Sequence, residues 1–375
     1  MIEDFYRSKS FDPLDLRLGD FAFDWSKRDG SRLLGNADFA GDSIPYDAPT
    51  GLWSLKELHE RLNSFGCSSR WYQWLSSDAS VGLSRNELFN KIAYPLVLGG
   101  FPTHQGVLAN GGRGGSGMAP DSIRRFLYLL TPDPRRSYVP HIMDWGNAPI
   151  AGICDPNVVD QEALKWCSQL VRGQGQFGGT SIILGGGHEL GYSTLLPFLE
   201  RQDEDSCLIV HVDAHLDVRP FDRIVHSGNP FFRLFHMNPK WATRTLAWGI
   251  QPYSCSDHHY RWLTQRGTRV IFRDEIEGFW GDPWWNNGIK DGKPWDIYLS
   301  VDVDVFSQAV APGCSAPQGL GVELTEFFQL LSLLKKRGRL KWLGFFEGSP
   351  PLDLPHLPTQ RLIAQLILKI VDVFF

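Results

Sequence analysis

The feature that most constrains the fold is a series of eight short apolar runs, rich in β-branched and aromatic residues, with amphipathic segments between most of them. Such runs predict strands, and strands that alternate with helices predict parallel pairing with helices on both faces of the sheet. We therefore predict an α/β chain with three αβα layers around a mainly parallel sheet of about eight strands. The strands are predicted near residues 94–99, 138–143, 181–184, 207–212, 245–248, 269–272, 297–301 and 342–346. The helices are predicted near residues 120–130, 159–172, 190–200, 257–266, 322–336 and 358–373.

The length of the chain allows one large domain or two smaller ones. Its 375 residues, 42% of them hydrophobic, are enough to bury a large core. All eight predicted strands fall after residue 92, so we interpret residues 93–375 as the main domain and residues 1–92 as an N-terminal elaboration of it. The Trp-rich stretch at 278–295 is interpreted as an insertion between two strands.

Charge and composition exclude several classes of partner. The net charge of −5 and the absence of a Lys/Arg run argue against a nucleic-acid footprint. No window reaches the roughly 18 apolar residues of a membrane span, and the N-terminus lacks the apolar region of a signal peptide. The six cysteines contain no C-x-x-C pair, which favours free thiols in a reducing compartment. We predict a cytoplasmic protein with no nucleic-acid or membrane partner.

Polar clusters follow three of the predicted strands. GGGHE spans residues 185–189, DAHLD spans residues 213–217, and SVDVD spans residues 300–304. The carboxyl ends of parallel strands meet at one edge of a sheet, where open α/β folds bind their ligands. The sequence therefore predicts one site built from all three clusters.

The three clusters offer six metal ligands. Alternate residues of an extended segment point the same way, so the ligands within each cluster are expected to face one site. Four carboxylates and two imidazoles exceed the needs of one four-coordinate zinc and favour two cations, with Mn²⁺ preferred to Zn²⁺. Two such ions roughly 3.5–4 Å apart lower the pKa of a bridging water, which predicts metal-assisted hydrolysis. The predicted ligands are His188, Asp213, His215, Asp217, Asp302 and Asp304.

Each cluster also has an ordinary explanation. The glycines of GGGHE fit a tight turn or a phosphate cradle, DAHLD fits a solvated loop or a helix cap, and SVDVD fits an acidic strand end. The metal interpretation is favoured because the clusters follow three strands of one α/β chain. Four other histidines, His211, His226, His258 and His259, are interpreted as ordinary surface or core residues.

In their order along the chain, the clusters resemble the three metal-ligand motifs of the arginase, or ureohydrolase, family. The resemblance extends from about Gly99 to the C-terminus and implies the arginase-like fold. It is strongest for the family's formimidoylglutamase subgroup, as judged from GGGHE itself, from Arg219 after DAHLD, from SGNPF at 227–231 and from the glycine-rich segment at 106–124.

The resemblance implies two Mn²⁺ ions per subunit, bridged by Asp213 and Asp302. Asp217 would also accept a hydrogen bond from the bridging hydroxide, so it is a predicted catalytic residue. One ion would be held by His188, Asp213, Asp217 and Asp302, and the other by His215, Asp213, Asp302 and Asp304.

The resemblance also implies a substrate and its contacts. The implied reaction cleaves N-formimidoyl-L-glutamate to L-glutamate and formamide, as in histidine degradation, and relatives are often homo-oligomers. Glu347 would be catalytic and substrate-binding, because a carboxylate can pair in a bidentate way with a forked amidinium. Ser227 and Asn229 would contact the amino-acid end of this small amino-acid-derived substrate.

Three alternatives remain open from the sequence. Phe231 stands where arginases have a proton-shuttling histidine, which argues against arginine as the substrate. An agmatinase-like or guanidino-acid ureohydrolase releasing urea would use the same metal motifs. A mononuclear zinc deacetylase of related architecture would need fewer ligands, and a catalytically silent scaffold would not need to retain Glu347.

Overall fold

Eight parallel strands form one sheet in the order β2-β1-β3-β8-β7-β4-β5-β6, and all seven neighbouring pairs are parallel. The structure, a computed structural model, describes residues 96–131, 133, 135, 142–174, 179–202, 206–282 and 294–375. The strands are β1 Leu96–Gly100, β2 Ile142–Asn147, β3 Thr180–Leu184, β4 Cys207–Val212, β5 Thr245–Ile250, β6 Arg269–Phe272, β7 Trp295–Asp302 and β8 Gly338–Phe346.

Helices lie between the strands along most of the chain. Short 3₁₀ helices accompany them at Ser116–Met118, Pro252–Ser254, Arg273–Glu275, Val303–Val305 and Pro350–Leu352. The α-helices are α1 Gln105–Ala109, α2 Ala119–Leu127, α3 Pro156–Gln174, α4 Leu190–Leu199, α5 Pro230–Met237, α6 Lys240–Thr243, α7 Asp257–Thr264, α8 Ile276–Phe279, α9 Leu324–Lys335 and α10 Pro358–Phe374.

Side chains alternate between the two faces of the sheet and build two separate cores. In β4, Leu208, Val210 and Val212 belong to one hydrophobic cluster, whereas Cys207 and Ile209 belong to the other. Helices α2, α8, α9 and α10 contribute to the first cluster, and α3, α4, α5 and α7 contribute to the second. Because every second residue of a strand points to the same face, each apolar strand feeds both cores. The predicted three-layer αβα architecture and its eight-stranded sheet are confirmed.

Local sequence signals explain where several helices begin. Glu323 and Glu326 form a reciprocal capping pair at α9, in which the Glu323 amide donates to Glu326 Oε2 over 2.8 Å. Ser256 Oγ accepts from the His259 amide over 3.2 Å and caps α7. Pro358 occupies the first turn of α10, where a missing N–H costs nothing.

The structure departs from the sequence predictions in detail. Strand β2 extends to Asn147, four residues beyond the predicted end. Helix α5 was not predicted, although Pro230 at its first turn and the apolar residues after it are helix-start signals. The predicted elaboration at 1–92 and most of the Trp-rich insertion, residues 283–293, lie outside the described residues. In the described part of the chain, no helix is long and apolar enough to cross a bilayer.

Candidate metal centre and cavity

The predicted site residues follow four strands that are consecutive in the sheet. Strands β3, β8, β7 and β4 are neighbours in that order. His188 follows β3, Glu347 follows β8, Asp302 ends β7 and Asp213 follows β4. Because the strands are parallel, their carboxyl ends open on one edge, and side chains more than 150 residues apart meet there.

His188 lies at the centre of the first group of donors. Its Nδ1 is 3.0 Å from Asp213 Oδ2, 3.0 Å from Asp217 Oδ2 and 3.2 Å from Asp302 Oδ2. The other ring nitrogen, Nε2, is hydrogen-bonded to Ser300 Oγ over 2.9 Å and fixes the orientation of the ring. Nδ1 is buried and makes no hydrogen bond of good geometry. Three carboxylates therefore converge on one imidazole nitrogen.

Asp213, His215 and Asp304 form a second group of donors. His215 Nδ1 lies 3.1 Å from Asp304 Oδ2 and 3.4 Å from Asp213 Oδ1. Asp304 Oδ1 is buried with no hydrogen-bond partner. Asp213 belongs to both groups. Asp302 also contacts both, because its Oδ1 accepts the Asp304 amide over 2.9 Å while Oδ2 faces His188.

The electrostatics of the centre show an excess of buried negative charge. Burial, together with the charges of Asp304 and Asp213, raises the pKa of the Asp302 carboxyl well above its usual value. Burial also raises the pKa of Asp304. Burial opposes ionisation of Asp213 as well, but His211 and the other nearby imidazoles outweigh it and lower the pKa of Asp213. A cation placed among these carboxylates would stabilise their ionised forms.

The donors brought together here fit the pair of cations predicted from the sequence. Two imidazoles and four carboxylates surround adjacent positions, and two buried donor atoms, His188 Nδ1 and Asp304 Oδ1, lack hydrogen-bond partners. An oxygen-rich set of this kind suits divalent cations of hard or borderline character. All six predicted ligands take part in the two groups or contact them directly.

The local backbone that delivers these ligands differs from the prediction. Strand β4 ends at Val212, so Asp213, His215 and Asp217 lie on a bent segment and not on an extended one. Asp304 lies in a 3₁₀ turn that follows Asp302. The prediction that strand alternation aligns the ligands was therefore wrong. Chain reversal aligns them, with Asp217 at a φ of 51°, a region that non-glycine residues rarely adopt.

The glycines of GGGHE allow the chain to turn directly after β3. A Cβ on Gly186 would lie 1.8 Å from the carbonyl oxygen of Thr103. The amide of Gly187 donates to that same oxygen over 3.2 Å. Close backbone approach therefore excludes any side chain at Gly186, and this turn places His188 over the strand ends.

His211 is a member of the site that the sequence interpretation missed. Its Nε2 lies 2.7 Å from Asp213 Oδ2, and its side chain is buried between β4 and Phe231, with the two ring centroids 4.0 Å apart. It was taken for an ordinary histidine, but a signal was available. His211 and Asp213 are two residues apart at the end of a strand, so they project to the same side.

Glu347 faces the centre from the end of β8. Its Oε1 accepts the backbone amide of His188 over 2.9 Å, and its φ is 64°. Burial and the nearby charge of Glu189 raise the pKa of Glu347. Glu189 is itself fully buried, and its Oε1 accepts the amide of Gly106 over 3.0 Å. The two glutamates thus link the β3 turn to β8 and to α1.

A cavity of about 450 Å³ opens onto the metal-ligand residues. Its volume suits a small molecule. Glu347 and four predicted ligands contribute to its lining together with Ser227, whose Oγ accepts from Asn110 Nδ2 over 3.1 Å. His259, interpreted as ordinary from the sequence, also lines it.

Asn229 occupies a different environment from Ser227. It is fully buried and does not contribute to the cavity wall. Its Oδ1 accepts the His226 amide, and its Nδ2 donates to the carbonyl of Ile224, so its amide builds its own loop. The geometry therefore does not favour the substrate contact predicted for Asn229.

Comparison with known proteins identifies the class of this fold and site. The family model "Arginase family" matches residues 94–372. The chain therefore belongs to the arginase family, and it is a metal-dependent amidino hydrolase.

Curated relatives carry a more specific name. Formimidoylglutamase from Ralstonia nicotianae is 29% identical over 81% of this chain and 90% of its own length. Formimidoylglutamase from Nocardia farcinica is 31% identical over 73% of this chain and 85% of its own length. The enzyme of that name from Corynebacterium efficiens is 30% identical over 74% and 84%, respectively.

Solved structures share the fold. Formiminoglutamase from Trypanosoma cruzi, crystallised with Mn²⁺, superimposes with a TM-score of 0.66 at 21% identity, covering 81% of this chain and 97% of that one. Proclavaminate amidino hydrolase from Streptomyces clavuligerus gives a TM-score of 0.63 at 23% identity, covering 76% and 92%. Likeness at these identities concerns the fold.

Proposed function

We propose that the protein hydrolyses N-formimidoyl-L-glutamate to L-glutamate and formamide. The observation that carries the proposal is the position of Glu347, a buried carboxylate beside two donor groups that share Asp213, on the wall of a cavity sized for a small substrate. Support for the formimidoyl substrate comes from the curated relatives, which bear the name formimidoylglutamase over most of the chain.

The proposed cofactor is a pair of Mn²⁺ ions. His188, Asp213, Asp217 and Asp302 would hold one, and Asp213, His215, Asp302 and Asp304 would hold the other. Support comes from the oxygen-rich donor set and from the T. cruzi formiminoglutamase structure that contains Mn²⁺. Such ions supply Lewis-acid activation of a water molecule near neutral pH.

The protein's own groups would orient the substrate and move its protons. The amidinium N–H groups of the substrate would donate to Glu347, and that positive charge would favour the ionised carboxylate against the burial that raises its pKa. This contact places the formimidoyl carbon next to the metal-ligand residues and away from bulk water.

Asp217 is the proposed carrier of the proton. It lies at the cavity wall with a partly exposed side chain, unlike the fully buried Asp213. It would accept a hydrogen bond from the attacking water and pass a proton to the leaving nitrogen as the C–N bond breaks. Water thus supplies the oxygen of formamide, and its protons complete the two amine products.

The alternative function is an agmatinase-like or guanidino-acid hydrolase that releases urea. Product analysis of the Mn²⁺-loaded protein with N-formimidoyl-L-glutamate, L-arginine, agmatine and short guanidino acids separates the two, with a chelated sample as the control. We expect formamide and glutamate from the first compound alone. Urea from a guanidino compound, with no turnover of the formimidoyl compound, would replace the proposed substrate.

A further inference from the structure

Two arginines line the outer part of the cavity. Arg113 follows α1 in the glycine-rich loop, and Arg219 follows the bent segment after β4; both are exposed and contribute to the cavity wall. The acidic residues of the wall, among them Asp302, Asp304 and Glu347, are buried. The cavity is therefore negative at its inner end and positive towards solvent.

Neutral oxygens hold the guanidinium of Arg113. Its Nε and Nη2 donate to the carbonyl of Ser315 over 3.1 and 2.9 Å, and Nη2 also donates to the carbonyl of Cys314 over 3.1 Å. The Arg113 amide donates to Ser315 Oγ over 2.9 Å. These acceptors fix the side chain without neutralising its charge.

Arg219 is held in a similar way on another part of the wall. Its Nη1 donates to Asn110 Oδ1 over 2.9 Å, and Asn110 in turn donates to Ser227. A Cβ on Gly228 would lie 2.9 Å from Arg219 Cδ, so this glycine gives the arginine stem its place. Among the described residues, neither Arg219 nor Arg113 forms an ion pair with a carboxylate.

We propose that Arg113 and Arg219 bind the two carboxylates of a dicarboxylic amidine, one arginine to each carboxylate. The proposal rests on the proposed function and names the residues that select its substrate class. A guanidinium keeps its charge at any working pH and has a fork of donors that matches a carboxylate. A substrate with its amidinium towards Glu347 would direct its carboxylates to the positive outer part of the wall.

The same arrangement would reject the substrates of the alternative function. A guanidino acid has one carboxylate and would leave one guanidinium without an anion. Agmatine has no carboxylate and would bring its ammonium group towards two positive side chains. Like charges brought together in this way lower affinity, so selection includes repulsion of the wrong compound.

The test compares two substrates and two charge-removing variants. N-formimidoyl-L-glutamate and N-formimidoyl-L-norvaline have nearly the same length, but only the first has a side-chain carboxylate. Steady-state kinetics of the Mn²⁺-loaded wild type, Arg113→Gln and Arg219→Gln would give KM and kcat for both. Arg261→Gln is the control, since that arginine is 69% exposed on α7 and pairs with Asp257. Thermal melting and metal content verify each variant.

We expect one glutamine variant to raise KM about 10- to 100-fold for the glutamate compound only, because it loses the side-chain carboxylate. The other should raise KM for both compounds, because both have the α-carboxylate. Arg→Lys at each position should restore part of the loss, since charge remains and the fork is lost. Unchanged KM in either glutamine variant, or equal effects of both variants on both compounds, would overturn the two-arginine proposal.

Direct binding separates this proposal from the proposed function. If the formimidoyl compounds are not hydrolysed, the proposed function fails, and calorimetric binding of L-glutamate and L-norvaline to the Mn²⁺-loaded protein tests the arginines alone. A preference for L-glutamate that Arg113→Gln and Arg219→Gln both weaken would support the arginine pair. Absence of that preference, or its persistence in both variants, would refute it.

Discussion

His211 Nε2 lies 2.7 Å from Asp213 Oδ2, the carboxylate that belongs to both donor groups of the centre. Asp213 Oδ1 is occupied as well, because it accepts the His215 amide over 2.6 Å. Both oxygens are thus oriented by neighbouring N–H groups. Partners of this kind fix the geometry of a metal ligand, and their loss commonly lowers metal affinity.

Replacing His211 should therefore weaken metal binding without unfolding the protein. We expect His211→Leu to lower the affinity for Mn²⁺ about 10- to 100-fold, because Asp213 loses its donor. His211→Gln can place an amide nitrogen near the former Nε2 and should retain most of the affinity. Calorimetric titration of metal-free protein measures both, and His258→Gln, an exposed site, is the control. Equal affinities for the Leu and Gln variants would contradict a hydrogen-bonding role.

Asp302→Ala should lose metal and activity together. Asp302 contacts both donor groups, and we expect a loss in Mn²⁺ affinity of at least about 100-fold, beyond that of residues outside the ligand set. The metal-free variant should remain folded, because its burial and the charges of Asp304 and Asp213 already oppose ionisation of Asp302. Metal content by mass spectrometry and melting by circular dichroism check both points, with exposed Asp257→Ala as the control. Full metal content would remove Asp302 from the ligand set.

Glu347→Gln should separate metal binding from turnover. The glutamine keeps the shape and an oxygen that can accept the His188 amide, so the metal content should not change. We expect kcat/KM to fall about 100-fold, since a neutral acceptor replaces a charged partner of the amidinium. Steady-state kinetics on Mn²⁺-loaded protein provide the measurement. Turnover equal to that of the wild type would exclude Glu347 from substrate binding.

Gly186→Ala should destabilise the fold. The added Cβ would lie 1.8 Å from the Thr103 carbonyl oxygen, and the backbone must shift to relieve the clash. We expect a loss of about 3 kcal/mol in the free energy of unfolding, the upper range for overpacking. Urea denaturation measures it. Gly278→Ala is the matched control, because no atom lies within 4 Å of the Cβ it would add; equal midpoints for the two variants would disprove the close approach.

The sequence predicted the site better than it predicted the path of the chain through it. Asp213, His215 and Asp217 could be grouped because they lie close together after an apolar run, and parallel strands bring such ends to one edge. The sharp bend at Asp217 could not be predicted, since its φ of 51° is set by tertiary contacts such as the Phe231 amide donating to its carbonyl. Spacing alone therefore supported the correct residues with an incorrect local geometry.

Contacts between distant segments account for what the sequence could not predict. Arg113 reaches Cys314 and Ser315, about 200 residues away, and no local pattern relates these segments. Asn229 shows the opposite error. Its place next to Ser227 suggested a shared role, but its side chain turns inward and bonds its own loop.

The most direct test of the central claim is a titration of metal-free protein with Mn²⁺ in which bound metal and formamide release from N-formimidoyl-L-glutamate are measured on the same samples. Two donor groups that share Asp213 predict that activity reaches its plateau at two ions per chain. The Asp302→Ala variant should not reach that plateau. Full activity at one ion per chain, or activity that persists in metal-free protein, would contradict a two-metal hydrolytic centre.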